Sequence, residues 1–230
     1  IAERLDVSPA AFAFITPLKR SLDPRGTPRL VYSVHAELED AQALKGELPH
    51  GVREAEPFYK LPHWRIPAHR KDSRAIVIGA GPAGLFAALA LARAGLRPIL
   101  LEQGKPVETR AMDVSRLMHW GELQRQSNLC FGEGGAGTWS DGKLTTRIGA
   151  SQVRFVLETL VEMGAPERIL LDGKPHLGTD RLIALLKRLR AAMTAQGADI
   201  RFGCRVARLM LDGGAVRGVV LGDGEEIEAQ

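Results

Sequence analysis

Only two cysteines occur in 230 residues, Cys130 and Cys204. They are far apart and fit neither a disulfide framework nor the paired spacing of a structural zinc site, so a reducing cytoplasm is the expected compartment. The six histidines show no HxxxH or Cys/His pattern, and no metal site is expected. A dense block of one charge is also missing. The 31 basic and 27 acidic residues are interspersed, so the net charge of +4 describes a mixed solvated surface and not a specific nucleic-acid partner. Long unbroken apolar runs are missing as well. The longest, AIVIGAGPAGLFAALALARAGLRPILL, is interrupted by glycines, prolines, Arg93 and Arg97, so no membrane span and no signal peptide are expected. Neither an internal repeat nor a low-complexity tract is visible.

What is present is an ordinary globular composition, 45% hydrophobic and 25% charged, at a length suited to one large domain or two small ones. The chain starts at Ile1 without a methionine and stops at Gln230 within the alternating EEIEAQ. A fragment of a longer protein, lacking residues at both ends, is therefore expected. Residues 1–72 read as a first region. Ile1 to Leu5 suits a helix end, Ala11 to Pro17 and Arg29 to Leu38 suit strands, Lys19 to Gly26 a turn, and Glu39 to Lys45 a short helix. Pro49, Gly51, Pro57, Pro62 and Pro67 then mark a linker, with a domain boundary near Lys71 to Arg74.

Residues 73–230 form the second region. Ala75 to Ile78 is an apolar run suited to a buried parallel strand, Pro82 to Ala94 is Ala/Leu-rich helix former, and Pro98 to Glu102 supplies a second strand. This has the length of a βαβ unit, about 30 residues. Further on, Thr179 can cap a helix reaching Ala195, with Leu182, Leu185, Leu186, Leu189 and Met193 on one face. Strands are expected over Asp199 to Phe202, Arg205 to Leu211 and Val216 to Leu221, the last two joined by a DGG turn.

Between the first strand and the helix lies Gly79-Ala80-Gly81-Pro82-Ala83-Gly84, a GxGxxG. The pattern alone is weak. Here a strand precedes it, a helix follows it, and an acid, Glu102, closes the next strand, which together make a dinucleotide fingerprint. Gly79 allows the tight turn, Gly81 lets the backbone approach a pyrophosphate, and Gly84 lets helix and strand pack closely. The phosphates would lie at the helix N-terminus, where unpaired N–H groups and the helix dipole favour negative charge. Glu102 would accept from the adenosine ribose hydroxyls, and an acid there disfavours the 2′-phosphate of NADP.

A second glycine cluster, SNLCFGEGGAGTWSDGKLTT, places five glycines between Gly132 and Gly142. Gly137 to Lys143 approaches the phosphate-loop pattern, but Leu144 stands where a Ser or Thr would bind Mg²⁺, and SNLCF is a poor feeding strand. A flexible tether is also a poor reading, because Phe131, Trp139 and Leu144 are too apolar. What remains is a rigid backbone wall against a flat or charged ligand.

Taken together, IGAGPAGLFAALALARAG, LEQG with VETR, SNLCFGEGGAGTWSDGKLTTR and PHLGTDRL resemble bacterial FAD-dependent oxidoreductases of the "FAD-dependent dehydrogenase" kind, flavoproteins with a glutathione-reductase-type FAD domain. The resemblance runs from about Phe12 to Gln230, and KRSLDPRG matches that family's small N-terminal domain. It implies an α/β fold: a small α/β N-terminal domain followed by a Rossmann-like FAD-binding domain. The parallel sheet of the latter carries an antiparallel three-stranded insertion and is completed by a strand beyond Gln230. FAD is the implied cofactor. Gly79, Gly81, Pro82, Ala83 and Gly84 would hold its pyrophosphate, Glu102 the ribose, and Arg110 would lie near the phosphates. Val206 would offer its backbone to the adenine, while Gly134, Gly135, Ala136 and Gly137 would approach the isoalloxazine or the pyrophosphate. Gln103 stands where the pattern has arginine, and Leu129-Cys130 replaces a more polar pair. The implied activity is transfer of a hydride or electron pair through the flavin, with a small-molecule substrate or a donor such as NADH or NADPH. Flavin binding without turnover and a flavin enzyme acting on RNA are the alternatives.

No catalytic residue is identified. Cys130 reads better as a small buried hydrophobe than as a redox thiol, having no CxxC partner. His176 is a proton donor or a solvent histidine, and Asp141 and Lys143 either face a substrate or pair with each other. Arg20, Asp23 and Arg25 either recognise a partner or fix a turn.

Overall fold

A computed structural model describes residues 1–55, 66–67, 73–144 and 151–229. Pro57, Pro62 and Lys71 of the expected linker and boundary, and Thr145, Thr146 and Gln230, lie outside the described residues. The chain divides into two compact units, one drawn from Ile1–Leu61, Thr145–Val161 and Pro166–Pro175, the other from Pro62–Leu144, Glu162–Ala165 and His176–Gln230. The first unit thus takes in two segments that the sequence places within the 73–230 region.

The first unit opens with a short helix α1 (Ala2–Leu5) and a long antiparallel hairpin of β1 (Phe12–Asp23) and β2 (Arg29–Leu38). β1 extends six residues past the expected end at Pro17 because the ladder shifts register between Pro17 and Lys19. A bulge is where a strand accommodates proline, which has no N–H for the ladder. Lys19 to Asp23 therefore belongs to the strand, not to the turn. Beyond it the chain turns at Asp23, whose carboxylate accepts from the Arg25 guanidinium at 2.9 Å. Arg20 ties β1 to residues 171–172: its N–H donates to Leu171 O at 2.7 Å and its guanidinium to Asp172 Oδ1 at 2.8 Å. The expected helix over Glu39 to Lys45 is only a 3-10 turn, Ala41–Ala43.

In the second unit β3 (Ile76–Ile78), β4 (Ile99–Glu102) and β5 (Asp199–Phe202) form a parallel sheet in the order β3-β4-β5. Every residue of β4 is buried, as a central parallel strand requires. Its side chains alternate between two cores. Leu100 packs with Leu85, Ala88 and Leu89 of α2 (Pro82–Arg93) and with Leu189 and Met193 of α5 (Thr179–Ala195). Ile99 and Leu101 pack on the other side, against Val219, Leu221 and Ile227. Those residues belong to the antiparallel sheet of β6 (Val206–Asp212), β7 (Ala215–Leu221) and β8 (Glu226–Glu228). The expected three-stranded insertion is therefore the second cover of the parallel sheet, and the α/β architecture with Rossmann-like and antiparallel parts is as expected.

Two helices go beyond the expectation, α3 (Val107–Trp120) and α4 (Ser151–Glu162). The buried face of α3 consists of Val107, Arg110, Asp113 and Val114, so polar residues occupy positions where an amphipathic pattern would show apolar ones. One detail of α5 also differs. Its N-cap is Gly178, and the Thr179 hydroxyl donates instead to Ser140 O at 2.8 Å. Among the described residues, no helix is long and apolar enough to cross a membrane.

Candidate functional site: a cleft between two glycine segments

The first glycine segment is shaped by the end of β3. Gly79 has a φ of 93° and donates its N–H to Leu101 O at 2.7 Å, turning the chain toward α2. An ideal Cβ on Gly84 would stand 1.8 Å from Gly79 O, so only glycine allows helix and strand this close. A Cβ on Gly81, by contrast, would meet nothing within 4 Å. Open space there, at the N-terminus of α2, is what a pyrophosphate requires. The first-turn N–H groups of Ala83 and Gly84 have no preceding helical carbonyl to bond, and Pro82 at the first helical position has no N–H to satisfy.

Glu102 closes β4 with its side chain buried. Its Oε2 accepts from Ala80 N–H at 2.7 Å and its Oε1 from Gly104 N–H at 2.8 Å, so one carboxylate joins the glycine turn to the loop after β4. Each oxygen keeps a second lone pair for a ribose hydroxyl.

The second glycine segment is built around Arg110, whose side chain α3 projects into it. This guanidinium is fully buried and donates to three backbone carbonyls, those of Asn128 at 2.8 Å, Leu129 at 2.9 Å and Glu133 at 2.6 Å. Gly132, with a φ of 120°, lies against this side chain, and a Cβ there would be 2.5 Å from Arg110 Cδ. Asn128 completes the loop, its Oδ1 accepting from Cys130 N–H at 2.8 Å. The two segments meet directly where Gly134 N–H donates to Ala80 O at 2.8 Å. A Cβ on Gly135 would be 3.5 Å from Gly81 Cα, which is ordinary contact.

Between these walls lies a cleft of about 340 Å³. Of the residues singled out from sequence, Gly79, Gly81, Glu102, Gln103, Gly135 and Val206 line it. Pro82, Ala83, Gly84, Gly134, Ala136 and Gly137 flank these positions without lining the cleft. Arg110, which the resemblance sets near the phosphates, does not line the cleft either, and three of its five N–H groups donate to the loop's own carbonyls. Cys130 is a correction, being exposed and cleft-lining instead of buried. Cys204, Arg205 and Phe131 also line the cleft and went unpicked as site residues. Arg205 and Cys204 adjoin Val206 and were open to selection by that neighbourhood alone.

Beneath the second wall sits Glu133, fully buried. Its Oε2 accepts from Val107 N–H at 2.8 Å, at the N-terminus of α3, and from Arg190 Nη1 at 3.0 Å. Burial pushes this carboxyl above its ordinary value of 4.5, against the pull of the Val107 N–H and Arg190. A carboxyl that binds its proton more tightly when folded loses stability as pH rises from its unfolded value through its folded one. Thermal melts of Glu133→Gln and the unaltered protein should therefore diverge with pH. The Gln protein should gain relative stability as pH rises above about 4.5, and a pH-independent difference would contradict this assignment.

Further along the loop, Gly137 to Lys143 is no phosphate loop. Ala136–Trp139 is a 3-10 turn, and no strand leads into it among the described residues. Asp141 and Lys143 pair at 2.7 Å on the surface, which holds the Asp141 carboxyl below its usual range. Lys143 also bridges to His176 through the backbone, which adds His176 to the Asp141–Lys143 pair that was one of the two sequence readings.

A parallel sheet whose first strand runs through a glycine turn into a helix, with an acid closing the second strand, defines a Rossmann-type dinucleotide-binding protein. The cofactor follows from comparison with known families: residues 74–118 match the family model described as "FAD binding domain". FAD is therefore the dinucleotide, and the match is consistent with the resemblance to FAD-dependent oxidoreductases. A protein of Clostridium beijerinckii, described as uncharacterized, is 33% identical over 223 residues, which cover 96% of this chain and 42% of that protein. The chain thus spans under half the length of this relative. Among solved structures, 3-ketosteroid-Δ4-(5α)-dehydrogenase from Rhodococcus jostii is similar over 69% of this chain and 44% of its own, with 17% identity and a TM-score of 0.41. A ferredoxin reductase from Rhodopseudomonas palustris is similar over 70% and 23%, with 17% identity and a TM-score of 0.31.

Proposed function

We propose that this chain is the FAD-holding part of a flavoprotein oxidoreductase that moves a hydride or electron pair between a small-molecule substrate and a donor such as NADH or NADPH. The observation that carries the proposal is the joint between Gly134 N–H and Ala80 O, which sets two glycine walls on one cleft that Glu102 also lines. In this reading Gly79, Gly81, Pro82, Ala83 and Gly84 hold the pyrophosphate at the N-terminus of α2. Glu102 takes the ribose hydroxyls, Gln103 borders them, and the Val206 backbone meets the adenine. Gly134, Gly135, Ala136 and Gly137 close over the flavin side. Bound FAD supplies the two-electron chemistry, while the chain positions the cofactor and shapes its electrostatic surroundings. Residues 73–230 serve as the cofactor-binding domain, apart from the segments contributed to the first unit, and 1–72 as an N-terminal domain.

Anaerobic addition of NADH or NADPH to the flavin-loaded full-length protein tests the activity. Bleaching of the visible flavin band by either nucleotide is the expected result. A flavin that chemical reductant bleaches but neither nucleotide touches would speak for binding without turnover by these donors.

A further inference from the structure

The backbone walls account for phosphates and ribose in the proposed reading, yet Phe131 and Arg205 are among the cleft-lining residues that have no task in that scheme. Phe131 is 45% exposed although apolar, and its position is fixed from both sides of its peptide: its N–H donates to Asn128 Oδ1 at 3.3 Å and its C=O accepts Asn128 N–H at 3.1 Å. Arg205 lies on another segment, between β5 and β6, with its C=O accepting Gly222 N–H at 2.7 Å. Its neighbours are all compensated. Arg201 pairs with Asp199 at 2.8 Å and with Glu225 at 3.2 Å, Arg208 with Glu226 at 3.9 Å, and Arg217 with Asp212 at 3.4 Å. Among the described residues Arg205 alone of these four has no carboxylate partner, and it lines the cleft beside Val206 and Glu102.

We propose that Phe131 and Arg205 form a clamp for the adenine ring of the dinucleotide. Two flat groups, one aromatic and one guanidinium, reach the cleft from separate segments, and a planar π-system is the ligand chemistry both accept. A ring stacks on the phenyl face, and a guanidinium stacks on a ring face through its plane and its charge. Phosphate is the poorer match, because Phe131 has nothing to offer it and the N-terminus of α2 already provides for it. The proposal rests on the FAD reading and deepens it at the adenosine end, making Phe131 and Arg205 specificity-determining residues.

The test titrates the flavin-free full-length protein with FAD and, separately, with ADP. Base-on-aromatic stacking typically contributes about tenfold or more in affinity per base. Phe131→Ala and Arg205→Ala should each weaken both ligands about tenfold, and Arg205→Lys, which keeps the charge but not the flat group, should resemble Arg205→Ala. Both positions are exposed, so unchanged melting temperatures are expected and would exclude unfolding as the cause. Affinities within twofold of the unaltered protein would overturn the clamp. So would loss for FAD but not for ADP, or full recovery with lysine. An unaltered protein that binds neither ligand would instead overturn the underlying FAD reading.

Discussion

Arg110→Met should lower the melting temperature by on the order of 10 °C and empty the protein of flavin. The buried guanidinium is the donor to three backbone carbonyls in a segment whose glycines cannot fill space with side chains. A buried acceptor left without a donor costs about 1–3 kcal/mol, so losing three donors at once costs several kcal/mol of the roughly 5–15 that a domain has. Water entering the vacated space would recover part of this, which keeps the estimate below the simple sum. The stacked Trp139 ring, 5.9 Å from the guanidinium carbon, loses its cation as well. Arg110→Lys should fall between the two, keeping the charge but reaching fewer carbonyls. Calorimetry and flavin content measured on the same samples check both parts. A melting temperature within about 2 °C of the unaltered protein would mean that the loop does not depend on this side chain.

Substitutions at Gly84 and Gly81 should separate fold from cofactor. Gly84→Val forces a Cβ to within 1.8 Å of Gly79 O, and backbone cannot yield as a flexible side chain does. α2 must then shift from β3, with a stability loss of about 1–3 kcal/mol or more and with its first-turn N–H groups displaced from the position at which the proposed reading has them hold the phosphates. Gly81→Ala places its Cβ in open space, so the melting temperature should hardly move. In the proposed reading that space takes the pyrophosphate, so flavin retention should drop at least tenfold in both proteins. Measured stability and bound flavin should therefore move together at Gly84 and apart at Gly81. A Gly81→Ala protein with full flavin content would show that the pyrophosphate lies elsewhere.

Much of the second unit was legible because its signals are local. β3, α2 and β4 follow from apolar runs punctuated by glycine, and α5 from leucines at helical spacing between Thr179 and Ala195. α3 was hidden by the feature that makes it useful, since on its buried face Arg110 serves the loop over 128–133 and Asp113 pairs with Lys105 at 2.9 Å, and both erase the amphipathic pattern. α4 is different, for its apolar residues Val153, Val156, Leu157 and Leu160 recur at helical spacing and were available to a helix reading. At the site, glycine positions could be read because close approach demands glycine. The task of Arg110 could not, because nothing in the sequence tells a buried arginine facing carbonyls from one facing phosphate. Phe131 and Arg205 escaped for a related reason: Phe131 reads within the second glycine cluster only as an apolar residue, Arg205 belongs to no motif, and only the fold brings them to one cleft.

The most direct test of the central claim is the visible absorption spectrum of the full-length protein as purified, with the released cofactor identified by chromatography. The account predicts a flavin spectrum and released FAD, in a protein that binds FAD again after stripping. A colourless protein that takes up no added FAD would contradict it, leaving the cleft between Gly79 and Gly135 to some other dinucleotide.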